Sequence, residues 1–432
     1  MTYKNKILQT TNKYFLENSK KTKRKTYNMK NKIKSLKQQA KIAQGILDKK
    51  VYTGPWSVQI DLTNKCNNDC IACWCHSPLL GDKAMKPEIK KKFLTYETVI
   101  KLIDDLDELG VKDIYFTGGG EPFMHPRIFD IMKHIKSKAI HLDMSTNFTL
   151  INEKIADQLI ELHVDHMNLS LWSATPKTYA KQHPNKNKNT FRRMEEMIEY
   201  INKRKKEKKL LKPELGMYNV ITIHNYEEVN KMIDFAFKHR MHDIDFTPVD
   251  TVPDRTGILK LNKKHRKIIT DKINAMPKQI EALEKTYNHK LEFRNHHSFL
   301  RRMQNPDADS ANYDSDILDS LPSCYAGWTF ARVLATGEVN SCLKSFKIPV
   351  GNIYEQSFKD IWFGKKQRCF RKHTIDYDKN NPYFDNIGND RSIKKQGCYK
   401  CCDNLGFNLL VHEKISKLNP VKKQLLKIGR VI

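Results

Sequence analysis

The chain has 432 residues, 39% of them hydrophobic, with 19 Phe, 17 Tyr and only 17 Gly. That composition excludes collagen-like, low-complexity and wholly disordered classes, and the length leaves room for one large domain and a smaller one. The formal net charge of +28, from 77 Lys and Arg against 49 Asp and Glu, taken alone points to an anionic partner.

The charge is uneven along the chain. Residues 1–50 carry a net +13, residues 203–212 a net +6 and residues 414–432 another +6, so the other 353 residues carry only +3. In the first segment Met29, Ile33, Leu36, Ala40, Ala43 and Leu47 recur at spacings of four and three. This predicts a basic amphipathic helix with those residues on one face and Lys30, Lys34, Lys37 and Lys41 elsewhere around it. Such a helix either lies on an anionic surface or packs its apolar stripe on the neighbouring domain. No stretch approaches ~18 uninterrupted apolar residues, and the N-terminus lacks the apolar core of a signal peptide.

From Trp56 to Val249 strand-like and helix-like runs alternate. The predicted strands are Ser57–Leu62, Asp113–Thr117, Ile140–Ser145, His166–Trp172, Leu215–Ile223 and Asp243–Val249, short runs suited to a buried parallel sheet. One intervening helix carries Val99, Leu102, Ile103, Leu106 and Leu109 and stops at Gly110. Six successive βα units imply an α/β fold whose parallel sheet is doubly wound or curled into a partial barrel, with ligands at the C-terminal ends of the strands.

Those ends carry the chemistry. After the first strand comes Cys66-Asn-Asn-Asp-Cys70-Ile-Ala-Cys73-Trp-Cys75. Cysteines this close favour a metal site over disulfides. The site is either zinc, with Cys75 or His76 as fourth ligand, or an iron–sulfur cluster with one open iron. The second strand ends in Thr117-Gly118-Gly119-Gly120-Glu121-Pro122, where glycines permit close ligand approach and Glu121 suits an ammonium group.

The C-x3-C-x2-C loop after strand one and the Gly-Gly-Glu-Pro after strand two together resemble the radical S-adenosylmethionine (SAM) superfamily. The resemblance implies a partial (β/α)6 barrel in which Cys66, Cys70 and Cys73 hold a [4Fe–4S] cluster that chelates SAM. It further implies that an electron from an external donor such as a flavodoxin or ferredoxin cleaves SAM to a 5′-deoxyadenosyl radical, which abstracts hydrogen from the substrate. Gly119, Gly120 and Glu121 then hold the methionine amino group, Ser145, Thr146 and Asn147 match the motif near the ribose, and Ser170 matches a serine that contacts SAM. Three positions depart from the family pattern: Ala72 where an aromatic is usual, Phe148 where Gly is common, and Trp172 where many relatives have Asp. The oxygen sensitivity of such a cluster implies a reducing cytoplasm.

Beyond a helical, polar linker at 256–320 lies a second cysteine set: Cys324, Cys342 and Cys398-Tyr-Lys-Cys401-Cys402. Gly337-Glu338 between apolar runs reads as a hairpin turn that brings Cys324 and Cys342 together, with the C-x2-C knuckle closing a four-thiolate site. The layout resembles the auxiliary-cluster region of SPASM/Twitch enzymes and implies a small α+β domain with one auxiliary [4Fe–4S] cluster on Cys324, Cys342, Cys398 and Cys401, with Cys402 as the rival fourth ligand. Cys75 and Cys369 are left as free thiols. The expected organisation is a basic helical extension (1–50), a radical SAM core (51–255), the linker (256–320), the auxiliary domain (321–412) and a basic tail (413–432). The expected substrate is a small polar, carbohydrate-like metabolite; the alternatives are a ribosomally made precursor peptide, or a non-catalytic metal- and nucleic-acid-binding role. Asn225 and Asp250, at the fifth and sixth strand ends, are the candidates for a catalytic group. The basic termini are the candidate contact for an anionic membrane surface or nucleic acid.

Overall fold

The computed structural model describes residues 22–318, 320–378, 380–388, 398, 402 and 404–427. Residues 1–21, Cys401 and the last five residues of the basic tail lie outside the described residues. One ten-stranded sheet runs through the protein in the order β10-β9-β8-β1-β2-β3-β4-β5-β6-β7. The first six strands are β1 (Ser57–Ile60), β2 (Asp113–Phe116), β3 (His141–Thr146), β4 (His166–Leu169), β5 (Glu214–Ile221) and β6 (Asp243–Pro248), all parallel and in sequence order.

Four more strands come from the region beyond residue 256. The stretch expected as a linker contains a 25-residue helix, Lys263–Tyr287, and then β7 (Glu292–Phe293), which pairs parallel with β6. The auxiliary region supplies β8 (Phe330–Val333), β9 (Glu338–Asn340) and β10 (Gly351–Asn352). The expected hairpin is β8–β9, antiparallel, turning through Gly337 at φ +87°. Its first strand pairs parallel with β1, so the auxiliary region extends the barrel sheet.

Local sequence explains the helices. In Tyr96–Glu108 the Thr95 hydroxyl caps the first turn, and Val99, Leu102, Ile103 and Leu106 face the sheet. Each such side chain contributes about 1.5–3 kcal/mol on burial. Gly110, at φ +80°, ends the run. The N-terminal helix Thr22–Leu47 has a different face inward than its spacing predicted: Leu36 is 55% exposed, whereas Gln38, Ile42 and Ile46 are buried. Gln38 is accommodated because its amide donates to Pro55 O at 2.7 Å, and the two isoleucines pack on Tyr325 and Trp328.

The strands alternate sharply. Ile60, Phe116, Met144, Leu169 and Phe246 are buried in the main hydrophobic core, while the residues between them turn polar groups to the concave face. There His166 lies between Asp143 (2.9 Å) and Asp243 (2.6 Å), and Arg294 pairs with Asp243 and Asp245. Arg294 Nη2 also donates to Asn168 on β4 at 2.9 Å. In a flat sheet the strand positions of these two residues would lie about 14 Å apart, so the contact reports strong curling.

Replacing His166 by Asn removes the cation shared by part-buried Asp143 and buried Asp243, leaving Asp243 with Arg294 alone, and is expected to cost about 3 kcal/mol. Burial lowers the imidazole pKa, but Asp143 and Asp243 outweigh it and hold it at about 10. A raised pKa stabilises the fold fully below the ordinary value near 6.5 and loses that contribution as pH rises towards about 10. The difference between wild type and His166→Asn in urea melts should therefore shrink over that window; a constant difference refutes the ion-pair account.

Candidate active site and auxiliary cysteine site

The site sits where β1, β2 and β3 end. The loop after β1 is held by Asn64, whose backbone N–H donates to Lys92 O at 2.9 Å and whose amide donates to Ile89 O at 3.1 Å. Against it packs the glycine run. A Cβ on Gly119 would meet Asn64 Oδ1 at 2.0 Å, and one on Gly120 would meet Lys65 O at 2.1 Å. Only glycine allows this contact, which is locked by the Glu121 N–H donating to Lys65 O at 2.8 Å.

Glu121 is 2% exposed. Its carboxylate accepts from Thr146 Oγ1 (2.7 Å), Asn147 N (2.7 Å) and Phe123 N (3.2 Å). Burial nevertheless pushes its pKa up to about 7. Asn147 donates its amide to Asn67 Oδ1 at 2.8 Å and to Cys66 Sγ at 3.9 Å. The structure thus joins Glu121 and Asn147, both singled out from sequence, to the cysteine loop. Ser145 bonds Tyr115 Oη on the neighbouring strand, and the Ser170 backbone N–H donates to Thr146 O at 2.9 Å.

Two of the three cysteines of the loop receive N–H···S bonds of the kind a thiolate wants. Asn68 N donates to Cys66 Sγ at 3.4 Å; Cys75 N and His76 N donate to Cys73 Sγ at 3.4 and 3.3 Å. Burial pushes the Cys66 thiol up to about 12 and raises that of Cys70. Cys73 goes the other way, to about 6, because the Cys75 thiol and two backbone N–H groups donate to it. His76, considered as a zinc ligand, instead donates Nε2–H to Gly119 O at 2.7 Å. Among the described residues no three His, Cys, Asp or Glu side chains close on a single ion. Three part-buried thiols on one loop, whose thiolate forms repel one another, suit a cluster whose cysteines bind separate irons, and the donor set fits. When bound, a reduced cluster and SAM supply radical chemistry.

The departures from the family pattern have physical explanations. Phe148 adopts φ +62°, the left-handed conformation that glycine takes without penalty. Its side chain is buried in the core, which offsets that cost. Trp172, also left-handed at φ +55°, packs on Ala72 together with Val249 and Leu259. An aromatic ring therefore reaches Ala72 from another strand end. Its Nε1 is buried without a hydrogen-bond partner, a donor left over beside the cysteine loop. Trp74 points elsewhere and donates Nε1–H to Asp250 O at 3.0 Å.

The two proposed catalytic groups differ. Asn225 donates its amide to Trp172 O (2.8 Å) and Val220 O (2.9 Å) and accepts from Thr222 N (2.8 Å), so it is committed to its own turn. Asp250 accepts from Lys344 Nζ at 2.7 Å. Lys344 is 7% exposed and donates its backbone N–H to Cys342 Sγ at 3.3 Å. Sequence reasoning missed Lys344, and missed Arg332, which pairs with Asp61 at 2.6 Å and donates to Leu343 O at 3.2 Å. Only the β8–β1 pairing brings these residues to the site, and no local pattern signals it.

In the auxiliary region Cys324 Sγ accepts from Asn408 Nδ2 at 3.4 Å, and burial pushes its thiol up to about 11, reinforced by Cys398. Tyr377 donates its hydroxyl to Cys398 O at 3.5 Å, and burial together with Cys398, Cys324 and Cys402 raises its pKa. Leu343 N, next to Cys342, donates to Asn404 Oδ1 at 3.4 Å and so links that turn to the start of the helix Leu405–Ser416. Cys369 is exposed on the helix Lys365–Ile375 and Cys75 lies against Cys73.

Residues 60–236 match the model of the Radical SAM superfamily, and residues 324–402 match that of the SPASM iron-sulfur cluster-binding domain. The chain is similar to a "Tungsten-containing aldehyde ferredoxin oxidoreductase cofactor-modifying protein" of Pyrococcus furiosus, 23% identical over 74% of this chain and 83% of that one. It is also similar to a "Probable GTP 3',8-cyclase" of Thermococcus kodakarensis, 33% identical over 29% of this chain and 38% of that one. Its fold is similar to Streptococcus suis SuiB bound to S-adenosylmethionine (TM-score 0.55, 16% identity, 74% of this chain and 68% of that one). Native anSMEcpe with bound AdoMet is similar to the same degree (TM-score 0.54, 16% identity, 88% and 100%). Among the described residues no helix is long and apolar enough to cross a membrane. The two family matches, on a sheet with the cysteine loop and Gly-Gly-Glu turn at its strand ends, make this chain a radical SAM superfamily enzyme with a SPASM iron–sulfur region.

Proposed function

We propose that this enzyme abstracts hydrogen from a small, polar, carbohydrate-like metabolite held on the concave face of the sheet. The observation that carries the reading is the polar lining: Gln59, Asp61, Tyr115, Ser145, Asn168 and Arg294 occupy that face and hold one another in place. A hydroxyl-rich ligand finds fixed donors and acceptors there, whereas an apolar one would strand them. The names of two relatives, one a cofactor-modifying protein and one a probable GTP cyclase, concern small molecules.

In this reading Cys66, Cys70 and Cys73 hold the SAM-binding cluster. The Gly119–Glu121 turn receives the SAM amino group, with Glu121 taking the ammonium on a carboxylate already oriented by three donors. Ser145, Asn147 and Ser170 border the same space. Asp250 and Lys344 fix the rim on the side of the auxiliary region, whose cluster is held by Cys324, Cys342, Cys398 and one of the pair Cys401 and Cys402. An external one-electron donor such as a flavodoxin or ferredoxin completes the system. The second reading, a peptide maturase, is favoured by one observation: the fold is shared, at TM-score 0.54, with SuiB bound to its precursor peptide SuiA.

Anaerobic reconstitution with iron and sulfide, reduction and addition of SAM should yield 5′-deoxyadenosine. Cys66→Ala should abolish that yield while Cys324→Ala retains part of it, because only the first removes a ligand of the SAM-binding cluster. Complete, equal loss in a folded Cys324→Ala protein would refute this division of roles.

The substrate class is read by adding fractions of a cell extract to the reconstituted enzyme. The small-molecule ultrafiltrate should stimulate 5′-deoxyadenosine formation, and protease treatment should leave that stimulation intact. Stimulation confined to the peptide fraction and destroyed by protease would replace the metabolite reading with the maturase.

A further inference from the structure

Far from the Gly-Gly-Glu turn, where β1 and β8 begin, a cavity of about 540 Å³ opens between the end of the N-terminal helix and the helix Lys365–Ile375. Its charged lining is Lys49, Lys50, Arg368, Arg371, Lys372 and Asp376, five cations against one carboxylate. That carboxylate is engaged already, 3.0 Å from Lys49 Nζ.

Arg371 is the unusual member. It is 5% exposed, yet its partners are neutral: Nε donates to Gly327 O at 2.7 Å and Nη2 to Trp362 O at 2.9 Å. The guanidinium lies 4.4 Å from the centre of the Trp362 ring and 5.9 Å from that of Trp328. The nearest charge acting on it is the like-charged Arg368, and burial with that repulsion lowers its pKa to about 9. A buried cation is normally paired with an anion. This one lines a cavity with three further cations that have no carboxylate of their own in the lining. Its apolar lining is Val51, Tyr52, Trp328, Phe363 and Ile375.

We propose that this cavity binds a free phosphate ester, its phosphoryl oxygens on Arg371, Arg368 and Lys372 and its organic body on the Tyr52–Trp328 wall. A phosphate dianion offers three acceptor oxygens and can engage an arginine fork and a lysine together, which a single carboxylate does less well. The volume lies within the range of small-ligand sites and favours a compact ester over a polymer. The same helix holds the auxiliary site: Cys324 N donates to Thr374 O at 2.8 Å and Ser323 Oγ to Ile375 O at 2.8 Å. An occupant of the cavity therefore braces the backbone that positions Cys324.

Calorimetric titration of the full chain with phenyl phosphate, inorganic phosphate and phenol tests this. Phenyl phosphate should bind at one site, more tightly than inorganic phosphate, and phenol should not bind. The doubly substituted Arg368→Glu, Lys372→Glu protein changes two exposed side chains and should keep its fold while binding at least about tenfold more weakly; Arg371→Gln should lose binding. Phenyl phosphate binding that the double substitution leaves unchanged, or no binding of either phosphate, overturns the proposal. Tighter binding of a single-stranded oligonucleotide or of phosphatidylserine vesicles, abolished by the same substitutions, also overturns it in favour of a polymeric or membrane anion.

Discussion

Glu121 ties three strand ends together, and the geometry of the site depends on it. Its backbone N–H donates to Lys65 in the loop after β1, while its carboxylate draws in Thr146 and Asn147 after β3. Asn147 then reaches the cysteine loop through Asn67. None of this is available unless the chain can pass within ~2–3 Å Cβ distance of Asn64 and Lys65, which the glycines before Glu121 permit. A buried carboxylate with three donors has a fixed orientation before any cation arrives, and preorganisation of that kind is what makes an electrostatic contact strong. The pKa near 7 shows that the three donors do not fully offset its desolvation, so the bare site favours an incoming ammonium.

The distribution of charge resolves in a similar way. The run at 203–212 is engaged in part within the molecule: Arg204 pairs with Asp157 and Glu207, Lys208 with Glu161 and Lys212 with Glu214. Lys205 is half-buried, with Nζ donating to Pro213 O at 2.8 Å, and desolvation lowers its pKa to about 8. Four of the seven cations of that segment are thus engaged within the molecule, while Lys203, Lys206 and Lys209 are exposed. Around Arg371, where Lys49 and Lys50 of the basic N-terminal segment meet the auxiliary helix, five cations share one carboxylate in the cavity lining.

Sequence reading located all six core strands because each is a short apolar run bounded by turn residues, and it located the cysteine and glycine motifs because their ligands are close in the chain. It failed where the determining partner is distant. Leu36 and Gln38 exchange places with respect to the expected stripe because Pro55 O satisfies the glutamine amide. The polar face of the sheet was hidden inside runs such as Ser57–Leu62 and Ile140–Ser145, since Gln59, Asp61 and Asp143 look like interruptions until Arg294, Arg332 and His166 are brought to them. The residues read as a linker supply β7, a two-residue strand too short to register as a pattern. Phe148 and Trp172 read as departures from a family pattern and prove to be well-packed residues in left-handed conformations.

The joint between the two cysteine sites follows from one of those distant pairings. With β8 beside β1, Arg332 meets Asp61 on the concave face, and Asp61 in turn is what a Cβ on Gly118 would strike, at 2.0 Å from its carboxyl carbon. The same guanidinium holds the carbonyl of Leu343, next to Cys342. The guanidinium grips Asp61 through both Nε and Nη2, and Lys344 adds a second clamp across to Asp250 and the Trp74 side of the cysteine loop. Both clamps are largely buried, and a buried ion pair contributes more to geometric uniqueness than to net stability. Two groups that exchange electrons, or grip one substrate from both ends, need a fixed separation above all. A rigid, mutually neutralised bridge between strand ends supplies that, where an apolar contact of equal area would permit sliding.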